Sequence, residues 1–392
     1  MRVYFDYNAT SPLPDTVIDV VASTTRDVFG NASSVHHFGQ RAKAVMDTAR
    51  AAVASLIQAE PSEIIFTSGG TEADNFAIRG AAEALEASGR RHLVASAIEH
   101  EAVLNTLKAL GRRGWRYTLV PVDASGVVNA AAVREAVADD TALVSIMHAN
   151  NEIGTIQPIA EIAAVVHERG ALLHTDAVQS VGKIAVDVKA LGVDCLALSA
   201  HKFNGPKGAG ALWVRRGTRL LPILTGGKHE RNRRAGTENV PAIAGMGAAA
   251  SQAAAKLEGE GPRLAALRDR LEAGILGRVP GTAVNGAPGQ RVPNTTNISF
   301  DRVEAESLLI ALDLEGIAVS TGSACSSGTL EPSHVLKAMG FPVHRTQNSL
   351  RFSLGVFSTE AEVDRVVEVL PPLVDKLRGL TRKPGAATVG TT

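Results

Sequence analysis

The sequence has few aromatic residues, few cysteines and no long apolar run. Phe, Tyr and Trp make up 4% of the 392 residues, so the core has to be built mainly from aliphatic side chains. Cys195 and Cys325 are the two cysteines; they cannot form a disulfide framework and match no zinc spacing, which favours a reducing cytoplasm. No apolar segment approaches the ~18 residues of a membrane span. The charged first residues do not resemble a signal peptide.

An excess of charge of either sign is also missing. Lys and Arg together number 40, as do Asp and Glu, so the formal net charge is zero. This balance gives no reason to expect a nucleic acid or an anionic membrane as a partner. The length is sufficient for a large domain and a smaller companion, with enough apolar surface for a sizeable core.

Short apolar runs alternate with helical patterns along the first two thirds of the chain. This rhythm predicts an α/β fold in which a mostly parallel sheet lies between helices. An Ala-rich helix from residue 241 to about 257 is expected to end this large domain, which begins at residue 15. Residues 1–14 and 258–380 are expected to form a small α+β domain, and residues 381–392 a disordered tail.

Lys202 and Asp176 each follow a short apolar strand, one βα unit apart. Open α/β sheets bind ligands at the carboxyl ends of their strands. A lysine there suits a Schiff base with an aldehyde cofactor, and a carboxylate there suits the protonated ring nitrogen of pyridoxal phosphate. Alone, Lys202 could equally be a surface lysine in a Gly-rich turn, and Asp176 a helix N-cap.

Two glycine-containing loops are candidate anion sites. Gly70 and Thr71 follow a predicted strand at residues 64–66, and Thr71 with Asp74 resembles a capping box that opens a helix. The loop at residues 226–237 is rich in Gly and Arg and ends at Thr237. It is either a solvated charge run or a loop that faces an anion.

Three other polar positions could carry chemistry. His100 follows a strand and could stack on a planar ring or cap a helix. Asn151 could bind a ligand or only form a turn. Cys325 lies among small and polar residues, where a free thiol is unusual, so it is either a reactive thiol or a tolerated surface residue. Cys195, inside a predicted strand, is expected to be part of the core.

Together these segments resemble the pyridoxal-phosphate-dependent cysteine desulfurases of the class V aminotransferase group, which have the fold of fold-type I enzymes. The resemblance extends over nearly the whole chain, and residues 320–327 are similar to the subgroup with a long cysteine loop. The matching segments are residues 5–10, 29–36, 67–75, 99–100, 147–157, 174–183, 199–210, 226–237, 320–327 and 351–353.

The resemblance implies a role for each matching residue. Lys202 would hold the cofactor aldehyde, His100 would stack on the ring and help to move protons, and Cys325 would take the sulfur of L-cysteine as a persulfide while L-alanine leaves. Asp176 would pair with the pyridine nitrogen and Gln179 with the phenolic oxygen. The phosphate would be held by Gly70, Thr71, Ser199, His201 and the partner subunit's Thr237. The substrate carboxylate would be received by Asn151 and Arg351, with help from Asn31.

The resemblance also implies a homodimer, located in the cytoplasm, that delivers sulfur to an acceptor protein such as an iron–sulfur cluster scaffold. The fold would build no metal site of its own, although Cys325 could contact a nascent cluster. Lys228 and His229 replace residues usual in the family, which affects the expected contacts of this loop across the dimer. A class V aminotransferase, a selenocysteine lyase and a non-catalytic sulfur-assembly scaffold are the alternatives.

Overall fold

The computed structural model describes residues 1–322 and 332–381. The strands are β1 (Val3–Tyr4), β2 (Ile64–Thr67), β3 (His92–Ser96), β4 (Arg116–Val120), β5 (Thr141–Ser145), β6 (Leu172–Asp176), β7 (Cys195–Ser199), β8 (Gly210–Val214), β9 (Thr282–Asn285), β10 (Thr295–Phe300), β11 (Ile317–Ala318) and β12 (Ser349–Ser353). The helices are α1 (Asp15–Asp27), α2 (His37–Leu56), α3 (Gly70–Leu85), α4 (Glu101–Gly111), α5 (Ala130–Ala136), α6 (Ile159–His167), α7 (Val188–Leu191), α8 (Val240–Arg278), α9 (Ala305–Leu314), α10 (His334–Ala338), α11 (Val343–Gln347) and α12 (Glu360–Thr381).

The large sheet has the strand order β2–β8–β7–β6–β5–β3–β4. Neighbouring strands from β7 to β4 are parallel, whereas β8 is antiparallel to β2 and β7 on either side of it. The carboxyl ends of β2, β6 and β7 therefore lie at one edge of the sheet. The expected α/β class with a mostly parallel sheet is confirmed; strand β8, which follows a Gly-rich turn, was not predicted.

Helices cover both faces of this sheet with aliphatic side chains. On one face, α2, α6 and the first half of α8 bury residues such as Val53, Ile162 and Met246 against the strands. On the other face, α3 and α4 bury residues such as Phe76 and Leu107. Because both faces are covered, ligands can approach this sheet only at its edges.

A second core lies around the antiparallel sheet β12–β10–β9 and the parallel pair β1–β11. Leu271 of α8, Leu308 of α9 and Leu370 of α12 pack there with Val3 and Phe5 from the start of the chain. The N-terminal segment thus reaches the second core first and then passes the edge of the large sheet. This path brings residues 6–10 to the site described below.

The helix expected to end near residue 257 continues to Arg278. Pro262 lies inside it and cannot donate the hydrogen bond that the carbonyl of Glu258 would accept, yet Glu258 is exposed, so water can satisfy that carbonyl. The helix packs in both cores and is held on each side of the proline. The predicted domain boundary falls inside α8, and the division into two domains stays a prediction.

Cys195 is fully buried in β7, as expected. Burial raises the pKa of its thiol, because the thiolate would lose its hydration. In the part of the chain that the structure describes, no helix combines the length and the apolarity needed to span a membrane. The predicted tail begins at Thr381, which is instead the last residue of α12. The rest of the tail, residues 382–392, and Cys325 lie outside the described residues.

Candidate active site

A cavity of about 320 Å³ opens at the carboxyl edge of the large sheet. Its size is within the range of small-molecule sites. The walls bring together residues that are up to 343 positions apart in sequence, from Asn8 to Arg351. The predicted site residues that line it are Gly70, Thr71, His100, Asn151, Asp176, Gln179, Ser199, His201, Lys202 and Arg351.

Two further predicted site residues do not line this cavity in their own chain. Asn31 is exposed, and its side chain accepts hydrogen bonds from the backbone and hydroxyl of Ser33. Thr237 is also exposed. Their roles stay predictions, since a partner subunit would be needed to bring Thr237 to a phosphate. Cys325 lies outside the described residues.

Lys202 is half-buried directly after β7, and its amine faces backbone oxygens. Its Nζ donates to the carbonyl of Asn8 at 2.5 Å and to that of Ala9 at 2.7 Å. Burial, followed by the positive charge of Arg351, lowers the pKa of Lys202 from 10.5 to about 8. A large fraction of this amine is therefore neutral near pH 8, as attack on an aldehyde requires.

The lowered pKa can be measured in the cofactor-free protein. We expect the rate at which an acylating reagent modifies Lys202 to be half-maximal near pH 8, because only the neutral amine reacts. Arg351→Met should move this midpoint to higher pH by removing a nearby positive charge. Mass spectrometry of the modified peptide gives the rate, and Lys202→Ala gives the background. A midpoint near the ordinary pKa of lysine would contradict the expectation.

Asp176 is a buried carboxyl group at the end of β6. Its Oδ1 accepts a hydrogen bond from the backbone N–H of Val178 at 2.8 Å, which closes a turn. The next helix, α7, begins only at Val188, so the alternative of a helix N-cap is wrong. Burial raises its pKa, while the nearby positive charge of Lys202 acts in the opposite direction. A desolvated carboxylate of this kind is stabilised by a cationic partner, and a protonated pyridine nitrogen is such a partner.

Further ionisable groups are buried near Asp176, and the sequence did not indicate them. Burial and the proximity of Asp176 raise the pKa of Asp74 well above its usual value, and burial raises that of Glu99 to about 8. His174 lies 3.5 Å from Asp74, and burial lowers its pKa to about 3. Burial favours the neutral form of all these groups, but only Asp176 among the three carboxyl groups has nearby positive charges, those of His100 and Lys202, that favour its charged form. Asp176 is therefore the group best placed to carry the negative charge that a ring cation needs.

The N-terminus of α3 forms one wall of the cavity and fits a phosphate group. The helix begins at Gly70, and its N-cap is Gly69, without a side-chain cap. The expected capping box of Thr71 and Asp74 is therefore wrong: Thr71 is the second residue of the helix and not its N-cap, and Asp74 is buried further along the same helix. The uncapped amides of the first turn remain available to an anion.

Close packing holds this wall in place. A Cβ atom on Gly70 would lie 2.8 Å from Cγ2 of Val178, and one on Gly210 would lie 2.6 Å from Cα of Gly69. The glycines thus let the helix start approach β8 and the turn after β6 closely. With Lys202, Asp176 and the first turn of α3 at one cavity, the residues present fit pyridoxal phosphate.

His100 is the N-cap of α4 and lies at the cavity wall. Its Nδ1 accepts a hydrogen bond from the backbone N–H of Ala102 at 3.1 Å. The capping role and the predicted role in the site are therefore compatible. Because Nδ1 accepts, Nε2 is the ring nitrogen left to donate or take a proton.

Arg351 on β12 is buried, and Asp6 is the carboxylate that pairs with it. Nη2 of Arg351 lies 2.6 Å from Oδ1 of Asp6, and Nη1 donates to the carbonyl of Asn151 at 2.9 Å. Its Nε is buried and has no hydrogen-bond partner among the residues that the structure describes. A substrate carboxylate can bind here by displacing Asp6 from one side of the guanidinium.

Asn8 connects several of these residues, although no sequence motif assigned it a role. Its backbone oxygen accepts from Lys202 and from Nε2 of Gln179, at 2.5 and 3.0 Å. Its side chain accepts from Lys183 and donates to the carbonyl of Asn151. Asn8 lies in the segment of residues 5–10 that carries part of the family resemblance, which was the available signal.

The Gly/Arg loop at residues 226–237 has an unusual backbone. Glu230, Arg231 and Asn232 are consecutive residues with φ of 45°, 60° and 65°, a conformation that costs energy in residues other than glycine. A buried pair with Arg50 on α2 holds the loop: the two side chains meet at 2.6 and 2.8 Å, and Glu230 also accepts from the backbone N–H of Phe66.

Arg50→Met should destabilise the protein by about 3–5 kcal/mol, because it leaves the Glu230 carboxylate buried without its cation. The measurement is the urea-induced unfolding transition. Lys43→Met is a control on the same helix: Lys43 pairs with Asp47 at 2.5 Å, but both side chains are exposed, so the expected change is below about 1 kcal/mol. Equal effects of the two substitutions would contradict the role given to the buried pair.

Comparisons with known proteins agree with this site. The aminotransferase class V family model matches residues 3–366. A cysteine desulfurase IscS of Methanosarcina thermophila is 49% identical over 379 residues, which cover 97% of this chain and 93% of the relative. A solved NifS-like protein has a TM-score of 0.88 and 38% identity, with 97% of this chain and 99% of that chain covered.

A further similar structure is that of SspA in complex with cysteine. It has a TM-score of 0.81 and 35% identity, with 92% of this chain and 100% of that chain covered. Full-length similarity and the cavity geometry thus agree with the resemblance found in the motifs. The chain belongs to the class V aminotransferase family and, within it, to the pyridoxal-phosphate-dependent cysteine desulfurases.

Proposed function

We propose that this desulfurase takes sulfur from L-cysteine as a persulfide on Cys325, passes it to a separate acceptor protein and acts as a homodimer. The observation that carries the proposal is the meeting of Lys202, Asp176, His100 and Arg351 at one cavity. L-Cysteine as the substrate is supported by the similar SspA, which binds cysteine. The assay is release of sulfide and alanine from L-cysteine by purified protein.

Each of four side chains at the cavity has its own role in the proposed reaction. Bound pyridoxal phosphate supplies an electron sink that weakens bonds at the substrate's Cα and then its Cβ–S bond. Arg351 receives the substrate carboxylate, and Asn151 orients it through its contact with Arg351. Nζ of Lys202 takes the proton from Cα, because burial has already lowered its pKa toward neutrality. Nε2 of His100 can donate a proton to the leaving product.

Sulfur transfer requires a second nucleophile in addition to Lys202. The thiolate of Cys325 attacks the substrate sulfur, so an S–S bond forms as the Cβ–S bond breaks. The electron pair of the broken bond stays with the carbon fragment, which takes up a proton and leaves as alanine. The product on the enzyme is a persulfide, whose outer sulfur an acceptor thiol can take.

The homodimer is supported by surfaces that one chain leaves open. A groove between α3 and α4 opens beside Thr71 and His100. Around the predicted Asn31 segment, Phe29, Val35 and Phe38 are 72%, 91% and 47% exposed, an apolar patch typical of an interface. We propose that the partner subunit covers these surfaces and that its loop at residues 226–237 brings Thr237 to the phosphate.

A hybrid dimer tests whether Thr237 acts across the interface. One chain carries Lys202→Ala and the other carries Thr237→Ala. If Thr237 serves the partner's cavity, the hybrid keeps one cavity with both native residues, and its cofactor affinity matches the wild type at that site. If Thr237 serves its own cavity, both sites are defective. The expected loss for Thr237→Ala homodimers is about tenfold in cofactor affinity, as for one hydrogen bond to a charged group.

Light scattering checks the oligomer itself, with a mass twice that of one chain as the expected result. A fully active monomer would contradict the shared site.

We propose an iron–sulfur cluster scaffold in the cytoplasm as the acceptor, since the relatives carry the names IscS and NifS-like. The test is transfer of ³⁵S from a loaded enzyme to such a scaffold, with a scaffold that lacks its cysteines as the control.

A further inference from the structure

Lys183 is a buried lysine without a carboxylate partner among the described residues. It is 9% exposed, and its Nζ donates to Oδ1 of Asn8 at 2.9 Å and to Oε1 of Gln179 at 2.7 Å. Burial lowers its pKa well below the usual value. Burying an amine is unfavourable, and a methionine of similar length would fill the same space. What a lysine provides here and a methionine would not is the pair of hydrogen bonds to the amides of Asn8 and Gln179.

These contacts determine which way each amide faces. Charged or neutral, the amine of Lys183 has an N–H donor for each of these two amide oxygens, so it favours the oxygen end of an amide over the nitrogen end. With Oε1 of Gln179 directed at Lys183, Nε2 is directed away from it. One hydrogen of Nε2 is donated to the backbone oxygen of Asn8 at 3.0 Å, and the other is available to the cavity that Gln179 lines.

Asn8 is held in the same way. Its Oδ1 accepts from Lys183, so its Nδ2 turns to Oγ1 of Thr295 and to the carbonyl of Asn151, at 2.9 and 3.1 Å. Its backbone oxygen then accepts from Lys202. Lys183 itself does not line the cofactor cavity; it lies behind the wall and lines a second cavity together with Lys256.

We propose that Lys183 is a positioning residue that fixes the amide of Gln179, so that Nε2 donates to the phenolic oxygen of pyridoxal phosphate. The proposal rests on the assignment of Gln179 to that oxygen. A donated hydrogen bond favours the deprotonated form of the oxygen. Without Lys183, the amide can turn its own oxygen to this position and the stabilisation is lost.

The test is the pH at which the visible absorbance of the cofactor-loaded protein changes. We expect Lys183→Met to move this midpoint upward by about one pH unit, the size of one hydrogen bond to a charged group. Lys183→Gln keeps N–H donors at this position, so its midpoint should lie close to that of the wild type. Lys256→Met makes the same chemical change in the second cavity and should leave the midpoint where it is.

A double-mutant cycle separates a role through Gln179 from a general structural role. Gln179→Met should raise the midpoint by itself, and adding Lys183→Met should raise it no further. An unchanged midpoint in Lys183→Met, or an equal shift in the Gln179→Met background, would overturn the proposal. An unchanged midpoint in Gln179→Met would contradict both the assignment of Gln179 to the phenolic oxygen and the positioning role of Lys183. The proposed release of sulfur from L-cysteine would not be affected by that result.

Discussion

Lys202→Ala is expected to remove the visible absorbance of lysine-bound cofactor and to lower alanine formation by roughly 10³–10⁴-fold. In the proposed mechanism, the variant loses both the amine that bonds to the cofactor and the base that takes the Cα proton. Lys183 cannot replace it, because its amine is held by Asn8 and Gln179. Absorbance spectra and single-turnover alanine formation measure the two losses separately.

Lys207→Ala is the matched control for this prediction. Lys207 lies five residues further along the same Gly-rich loop and is exposed. Its replacement should leave both the absorbance and the rate unchanged. If Lys202→Ala kept the absorbance of the wild type, another amine would hold the cofactor, and the assignment of Lys202 would be wrong.

The sequence predicted the site where its residues end strands or start helices. Asp176 and Lys202 were recognisable because a polar residue directly after a buried strand has a known position, at the carboxyl edge of the sheet. Short apolar runs predicted β6 and β7, and the family motifs supplied Gln179, His201 and Arg351. These residues all line the same cavity.

Other parts of the site depend on contacts that no local pattern shows. Asn8 meets Lys183 and Asn294 across 175 and 286 positions of sequence. Asp6 pairs with Arg351 across 345 positions. Such pairs arise because the start of the chain joins the second core and then crosses the edge of the large sheet. A sequence pattern indicates that these residues are polar, but it does not indicate that they meet.

Local rules also failed where tertiary packing prevailed. Gly259, Gly261 and Pro262 favour a break near residue 260, yet α8 is continuous because it is packed in a core on either side of them. Thr71 and Asp74 have the spacing of a capping box, yet Asp74 is buried beside His174. The free amides that result are consistent with a helix start that binds an anion.

Cys325→Ser should still bind pyridoxal phosphate and respond spectrally to L-cysteine, yet form no persulfide and release sulfide roughly 10²–10³-fold more slowly. Oxygen in place of sulfur leaves Lys202, Asp176 and Arg351 untouched, so binding and the first proton transfer continue. The step that fails is attack on the substrate sulfur, because a serine hydroxyl is a far weaker nucleophile than a thiolate at neutral pH.

Cys195→Ala is the matched control, since Cys195 is the other thiol of the chain and is fully buried in β7. Burial raises the pKa of Cys195, so iodoacetamide should modify it hardly at all in native protein while it modifies Cys325 quickly. Mass spectrometry after brief exposure to L-cysteine should find a mass increase of about 32 Da, equal to one added sulfur atom, on the peptide of Cys325 alone. If Cys325→Ser released sulfide at the wild-type rate, Cys325 would be an incidental thiol, and the cavity of Lys202 would have to release sulfur without a second nucleophile.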